Sequence, residues 1–492
     1  TLNFIKNFTN KKMAIDLVKV VQELKKLDEF MSKAENDFRH LLQKVYPSNI
    51  MRATNLIHYL ALRTHDIRSL QNDLHAYGLS SLTSSESHIR GQLFSIFERL
   101  DIKIEKRGDI FNYETSKSSL LKNKSDLFGE KQIEAIPHIM VTFDRSLAFD
   151  YLKVEELLLS GMNIARINCA HDDENIWLLM IQNVKKASKS TDLTCKIYVD
   201  LAGPKIRTII GGKGKVKVIE GEIIYLTDEN NLKEDKLTIG CTIPGIIQQL
   251  KIGENVLFND GLIEAKVEKI LSKKAILKIV RISSKNPFVK SEKGINFPDS
   301  ALLTPALTDY DRNCIPFVLN NADMIGYSFV RYSNDIEQLQ QAIGNNRNID
   351  LIIKIETSQA VINLPDLILT GLRSKNLGIM IARGDLAVEI GFERMSEIQE
   401  EILWICESAH VPVIWATQVL ENLNKTGMAT RSEITDAAHS AQADCVMINK
   451  GNHTIQTLKT LKNILIISSE HQVKKRYTFR PLAIAKRFLT NI

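Results

Sequence analysis

The chain has 492 residues, 44% of them hydrophobic and 25% charged, with a formal net charge of +6. That length points to roughly two to four domains, and the composition is that of a globular protein, not a disordered or fibrous one. The positive balance is mild: lysines are scattered among acids and no basic stripe carries interleaved aromatics, which argues against a nucleic-acid partner. The six cysteines form no C-x-x-C pair, so zinc and dithiol roles are disfavoured and a reducing, cytoplasmic setting fits. No apolar run reaches the ~18 residues of a spanning helix, and the start lacks the apolar core of a secretory signal.

In chain order, residues 1–12 begin without Met and read as a processed end. Residues 14–105 read as helices. Leu17, Val21, Leu24, Leu27 and Met31 recur at helical spacing, and Ile50, Leu56, Leu60 and Ile67 follow the break at Pro47-Ser48. Thr83-Ser-Ser-Glu86 resembles a capping box ahead of Ile89, Leu93, Phe97 and Leu100. His40, His58, His65, His75 and His88 lack the spacing of a helical metal pair. The polar, Lys/Ser-rich stretch 106–130 reads as a linker, closing an N-terminal region at 130.

From 136 the pattern changes to short apolar runs separated by helical stretches. The runs span 136–143, 162–168, 195–201, 322–329, 349–356, 377–383, 411–417 and 443–449. Alternating strand and helix implies parallel pairing, and eight units are what a closed (β/α)8, or TIM, barrel requires. The gap after the third run is too long for one helix. Residues 208–298 are strand-like, with an Asn259-Asp260-Gly261 turn, and read as a small all-β lid inserted into a barrel loop. The fold class is therefore α/β: a barrel over 131–207 and 299–475, the lid over 208–298, the N-terminal helical region, and a tail over 476–492.

Lys354 and Glu356 lie two apart at the end of the fifth run, so they share a face at the end of the barrel where active sites are built. Other runs also end in polar groups: Arg166 and Asn168, Asp200, Arg383-Gly384-Asp385, and Thr417. Neighbouring strands lie about 4.8 Å apart, so Glu356 and Asp385 can converge on one cation. Two carboxylates with positions left for water and substrate oxygens suit Mg²⁺ or Mn²⁺. Arg166 and Lys354 supply the opposing positive charge a phosphoryl group needs. Gly384 and Asp385 open a helical stretch whose free N–H groups suit a carboxylate or phosphate. Any one of these groups alone reads equally well as a salt bridge closing the barrel mouth.

The motifs SGMNIARINCAH, DLAGPKIRT, FNDGLI, EKGINFP, IIKIE, MIARGDLAVEIG, VIWATQVLEN and ATRSEITDAA resemble, in order and spacing, those of the pyruvate kinase family over roughly residues 136–470. The resemblance implies phosphoryl transfer from phosphoenolpyruvate to ADP, giving pyruvate and ATP. Lys354 and Arg166 would then act on the phosphoryl group, and Thr417 beside the carbon that is protonated. Glu356 and Asp385 would hold Mg²⁺ or Mn²⁺. Gly384, Asp385 and Ser328 would bind substrate, and Arg207, Lys293, Asn168 and His171 would serve the nucleotide side.

The departures from the family pattern are informative. Ala170 and Leu201 stand where the family has Ser and Thr oxygens that help bind K⁺, while Lys205 stands where many members have Glu. An ammonium can replace a monovalent ion, so Lys205 is expected to substitute for K⁺. Thr142-Phe-Asp-Arg145 and Asn449-Lys-Gly451 replace Thr-Ile-Gly-Pro and Ser-Gly-Glu on the nucleotide side, which leaves the phosphate acceptor open. The C-terminal domain usual in the family is not expected, and the helical N-terminal region is an addition, suited to homo-oligomer contacts or to a partner. Two other readings stand beside the kinase: a metal-dependent lyase acting on pyruvate enolate, and a catalytically weak scaffold. Lys354 argues against the first, and the retained charged groups against the second.

Overall fold

A computed structural model describes residues 11–104, 108–131, 133–211, 214–228, 237–283, 287–344, 349–470, 472–473 and 476–477. The end expected at 1–12 and the tail at 476–492 therefore lie almost wholly outside the described residues. The eight apolar runs form strands β1 (His138–Thr142), β2 (Ile164–Asn168), β3 (Lys196–Asp200), β4 (Met324–Tyr327), β5 (Asp350–Ile355), β6 (Leu377–Ala382), β7 (Val413–Ala416) and β8 (Cys445–Ile448). Each pairs in parallel with its neighbours in sequence, and β8 closes on β1.

Such strands are buried on both faces, which is why they read as continuous apolar runs. One face packs outward against the helices. The other meets in the barrel interior, where Met140, Ile164, Tyr198, Met324, Ile352, Met380, Ile414 and Met447, one from each strand, form a single cluster. Four of the eight are methionines, whose unbranched stems fill an irregular space.

Leu127 and Phe128 join that interior cluster from outside the barrel. They end a helix, Tyr113–Phe128, capped by a reciprocal pair of hydrogen bonds between Asn112 and Thr115. Most of the stretch expected to be a linker is thus a helix that plugs the barrel floor. Most of it is polar, and Leu127 and Phe128 at its end are its only buried hydrophobic residues, so helical periodicity is missing. The carbonyl of Gly129 accepts from His138 Nε2 at 3.0 Å, which ties the plug to the start of β1.

Before the plug stand helices α1 (Lys11–Asp37), α2 (Ile50–Arg63), α3 (Arg68–Ala76) and α4 (Ile89–Arg99); the plug itself is α5. After β6 come α6 (Arg383–Ile390) and α7 (Met395–Ser408). Helices α1–α4 share a core built on Leu24, Met31, Tyr59, Leu74, Ile89 and Phe97, against which Trp404 and Ile405 of α7 pack. The capping box expected at Thr83–Glu86 does not form. The Ile89 N–H is instead accepted by Asn55 Oδ1 of α2 at 3.2 Å, a tertiary cap that no local motif announces.

The lid lies between β3 and β4, as a seven-stranded and a two-stranded sheet with its own apolar core. Asn259 and Asp260 both take positive φ, the geometry a tight hairpin turn requires. Among the described residues no helix is long and apolar enough to cross a membrane.

The helical region grips the barrel through orphan carbonyls at helix ends. Arg52 is buried, and its guanidinium donates to Ala409 O at 3.2 Å, His410 O at 3.0 Å and Asn49 Oδ1 at 2.8 Å. Asn55 Nδ2 reaches Ser408 O at 2.7 Å, and Asn49 Nδ2 reaches Leu372 O at 3.0 Å. Burial pushes the Arg52 pKa down to about 10, so the side chain stays charged at neutral pH. Replacing Arg52 by Met leaves buried carbonyls unpaired. We expect a loss of about 2–4 kcal/mol in urea unfolding; a change below ~0.5 kcal/mol would show that the clamp carries no stability.

Candidate active site

The barrel strands end in a polar mouth. Asp200 closes β3 fully buried, and its Oδ2 accepts from Arg166 Nη2 of β2 at 2.6 Å and from Lys354 Nζ of β5 at 3.2 Å. Its Oδ1 accepts from Tyr198 OH at 3.1 Å. Burial alone would raise the Asp200 pKa, but Lys354 and Arg166 outweigh it and hold the carboxyl below its usual range. The same pairing works in reverse on Lys354. Burial favours its neutral form, yet Asp200 and Glu356 keep its pKa above the ordinary lysine value.

Lys354 Nζ also lies 3.1 Å from Glu356 Oε1 and donates to Ser328 Oγ at 2.8 Å. Ser328 Oγ in turn donates to Leu201 O at 2.7 Å. The other oxygen of Glu356 accepts the Phe329 N–H at 2.6 Å, from a residue in the left-handed region. The Glu356 pKa is raised, first by burial and further by the charge of Asp385, against the pull of Lys354. Arg166 Nη1 donates to Thr142 Oγ1 at 3.0 Å. Arg166, Asp200, Lys354, Glu356 and Ser328 therefore form one buried, hydrogen-bonded chain across β2–β5.

Asp385 sits in the first turn of α6, and its oxygens accept Lys205 Nζ at 2.7 and 3.1 Å. Beside it the Gly384 N–H donates to Thr417 Oγ1 at 2.7 Å, and Thr417 takes a positive φ of 65°. Arg383 fixes this corner. It donates to Ala416 O at 3.1 Å and Thr417 O at 2.6 Å, pairs with Asp436, and lies over the Trp415 ring.

The residues expected on the nucleotide side are dispersed. Asn168 and His171 line a cavity of about 710 Å³ together with Thr142, Arg166, Lys425 and Lys450. Asn168 Oδ1 is turned to its own loop, accepting from Ala170 N at 2.9 Å. Arg207 and Lys293 stand outside this cavity at the root of the lid, where Arg207 Nη1 donates to Glu292 O at 3.1 Å and Lys293 is exposed. Lys205 stands against Asp385 and has no hydrogen bond to Asn168 or Asp200.

Two residues of the site escape sequence reasoning in different ways. Asp200 is legible only as another polar strand end, although it joins both cations. Gly326 of β4 carries no chemistry, yet a Cβ there would fall 1.9 Å from Tyr198 Oη and 2.6 Å from Asp200 Oδ1. Its signal is a glycine inside an otherwise apolar strand, where another group must approach the backbone closely.

Among the described residues no group of three or more His, Cys, Asp or Glu is arranged to hold a metal. Glu356 and Asp385, the carboxylates expected to hold a divalent ion, lie just beyond β5 and in the first turn of α6. Their chemistry, two carboxylates with the charge of Asp385 felt at Glu356, is of the kind that suits a hard divalent cation keeping water and substrate oxygens in its other positions.

The family model described as pyruvate kinase, barrel domain, matches residues 139–456. A pyruvate kinase of Bacillus licheniformis is 32% identical over 328 residues, covering 65% of this chain and 54% of that protein. A pyruvate kinase of Staphylococcus aureus is 30% identical over 332 residues, covering 66% and 55%. The chain thus spans about half the length of the curated relatives it matches.

Glu389, one turn beyond Asp385, accepts from Asn296 Nδ2 of the lid root at 2.9 Å. Burial raises its pKa to about 7, with Asp385 adding and Asn296 and Arg331 opposing. Between pH 4.5 and about 7 the unfolded chain has lost a proton that the folded chain keeps, so this group makes stability fall as pH rises. Glu389→Gln removes that slope. Urea unfolding at pH 5 and pH 8 should show the variant gaining on the parent at the higher pH; an unchanged pH slope would refute the assignment.

Proposed function

The chain belongs to the pyruvate kinase family, and from that premise we propose that it transfers the phosphoryl group of phosphoenolpyruvate to ADP. The observation that carries this reading is the buried chain Arg166–Asp200–Lys354–Glu356 at a single barrel mouth. An enolate-forming lyase has no need of two buried cations facing one point, whereas a phosphoryl group passing between two oxygens does.

In this reading the β-phosphate oxygen of ADP attacks phosphorus, the bond to the enol oxygen breaks, and the enolate takes a proton at its methylene carbon to become pyruvate. Lys354 and Arg166 neutralise charge on the phosphoryl oxygens during transfer. Both are pre-positioned by Asp200, so little reorganisation is needed as charge develops. Glu356 and Asp385 would hold Mg²⁺ or Mn²⁺, which supplies electrostatic stabilisation of the phosphate and enolate oxygens. The substrate carboxylate is received at the start of α6 by the N–H groups of Gly384 and Asp385, with Ser328 nearby. Binding there exchanges the Gly384–Thr417 hydrogen bond for one to substrate, which frees the Thr417 hydroxyl beside the carbon to be protonated. Asn168, His171, Arg207 and Lys293 are assigned to the nucleotide side, with lid closure excluding water.

We further propose that turnover does not require K⁺. Two family oxygens are missing at Ala170 and Leu201, and Asp200 is already flanked by two cations. Activity in tetramethylammonium buffer should stay within about twofold of that in K⁺; a strict K⁺ requirement would overturn this.

The reading is tested by following pyruvate formation from phosphoenolpyruvate with Mg²⁺, with and without ADP. ADP-dependent turnover is expected in the parent, and Lys354→Met should lower kcat by about 10²–10³ or more. Absence of turnover with any nucleoside diphosphate would sink the proposal in favour of a scaffold.

A further inference from the structure

On the reading of the barrel mouth as a phosphotransferase site, we propose that Lys450, on the loop after β8, binds the phosphate chain of the acceptor. It thereby sets how tightly a nucleoside diphosphate is held.

The two segments that depart from the family pattern on the nucleotide side meet in space. They follow β1 and β8, which are paired. Thr142, Asp144 and Arg145 of one segment and Asn449 and Lys450 of the other line the same cavity of about 710 Å³. Arg166 lines it too, and Arg166 is bound to Asp200 in the buried chain of the mouth. The cavity therefore opens onto a group assigned to phosphoryl transfer.

Most charges of the lining are engaged with one another. Arg145 pairs with Asp172 at 3.0 Å, and Lys425 pairs with Glu421. Arg166 is held by Asp200 at 2.6 Å. Asp144 is turned to its own loop, where it accepts the Ser146 N–H at 2.8 Å. Lys450 is exposed and, among the described residues, pairs with no carboxylate. Burial lowers the pKa of His171 and the charge of Lys450 lowers it further, so at neutral pH that ring adds no cation of its own. Lys450 is thus the group that a phosphate can engage without breaking an existing ion pair.

The loop that carries Lys450 is fixed on both sides. Asn424, buried on the neighbouring helix Glu421–Thr426, donates from Nδ2 to Asn449 O at 2.6 Å. A Cβ at Gly451 would fall 2.5 Å from Asn424 Oδ1, so only glycine lets the loop pack this closely. Both neighbours of Lys450 rest against one buried amide, and the ammonium is the free end.

The test is steady-state pyruvate formation by the full chain with Mg²⁺, varying ADP and phosphoenolpyruvate in turn. Lys450→Ala should raise KM for ADP about tenfold while KM for phosphoenolpyruvate stays within about twofold. Lys450→Arg, which keeps the charge, should restore most of the loss. An unchanged KM for ADP in Lys450→Ala, or an equal rise for both substrates, would overturn the proposal. If the parent turns over with no nucleoside diphosphate, the phosphotransferase reading falls by itself. Calorimetric titration of the parent and Lys450→Ala with MgADP then decides the role of Lys450 separately. Binding about tenfold tighter in the parent upholds it; equal binding, or none by the parent, overturns it.

Discussion

The carboxylate of Asp200 is the constraint on which the mouth of this barrel depends. Arg166 and Lys354 approach the same oxygen from strands on either side. Without that oxygen two buried cations would face each other across β3, and neither could stay charged at low cost. Its full burial strengthens both interactions and fixes both side chains before any ligand arrives. Tyr198 holds the other oxygen from two residues upstream on the same strand, and Gly326 leaves the space both groups occupy. A feature as bland as one missing methyl group on β4 therefore controls where two cations point on β2 and β5.

The opposite end of the same strands is built by different means. There, inward side chains are apolar, four of them methionines, and α5 closes the opening with Leu127 and Phe128. The helical region is clamped beside this floor through Arg52, Asn49 and Asn55, which cap carbonyls at the ends of barrel helices. Each barrel strand thus runs from a sealed floor toward a charged mouth. A site held at strand ends inherits the rigidity of the sheet, and a sealed floor lets the mouth carry charges that a thinner scaffold would not keep in place.

How much of this was legible follows from what kind of contact each feature depends on. The eight strands, the barrel and the inserted lid are visible because burial on both faces writes itself as apolar runs at regular intervals. Lys354, Glu356, Arg166 and Asp385 are visible because a charge at the end of such a run has no bland local reason. What stays hidden is tertiary. The cap that Asn55 gives to Ile89 comes from another helix. Helix α5 is polar along most of its length, because only its last two residues bury hydrophobic side chains, so it reads as a linker. Lys205 faces Asp385, 180 residues away in sequence, a pairing that no local pattern announces. The left-handed conformations at Phe329 and Thr417 have no signature in their residue types, since neither is Gly or Asn.

The charges at the mouth also restrict what can bind there. Arg166, Lys205 and Lys354 face Asp200, Glu356 and Asp385, three cations against three carboxylates, and each is engaged with at least one of opposite sign. A phosphorylated acid entering alone would add two or more negative charges to a balanced, partly dry cleft. A divalent cation entering alone would add two positive ones beside Lys354 and Lys205. Each is disfavoured by itself, and the two together nearly cancel. On the proposed reading, a balanced mouth of this kind would favour the metal–phosphate pair over either component, coupling metal and substrate binding through charge.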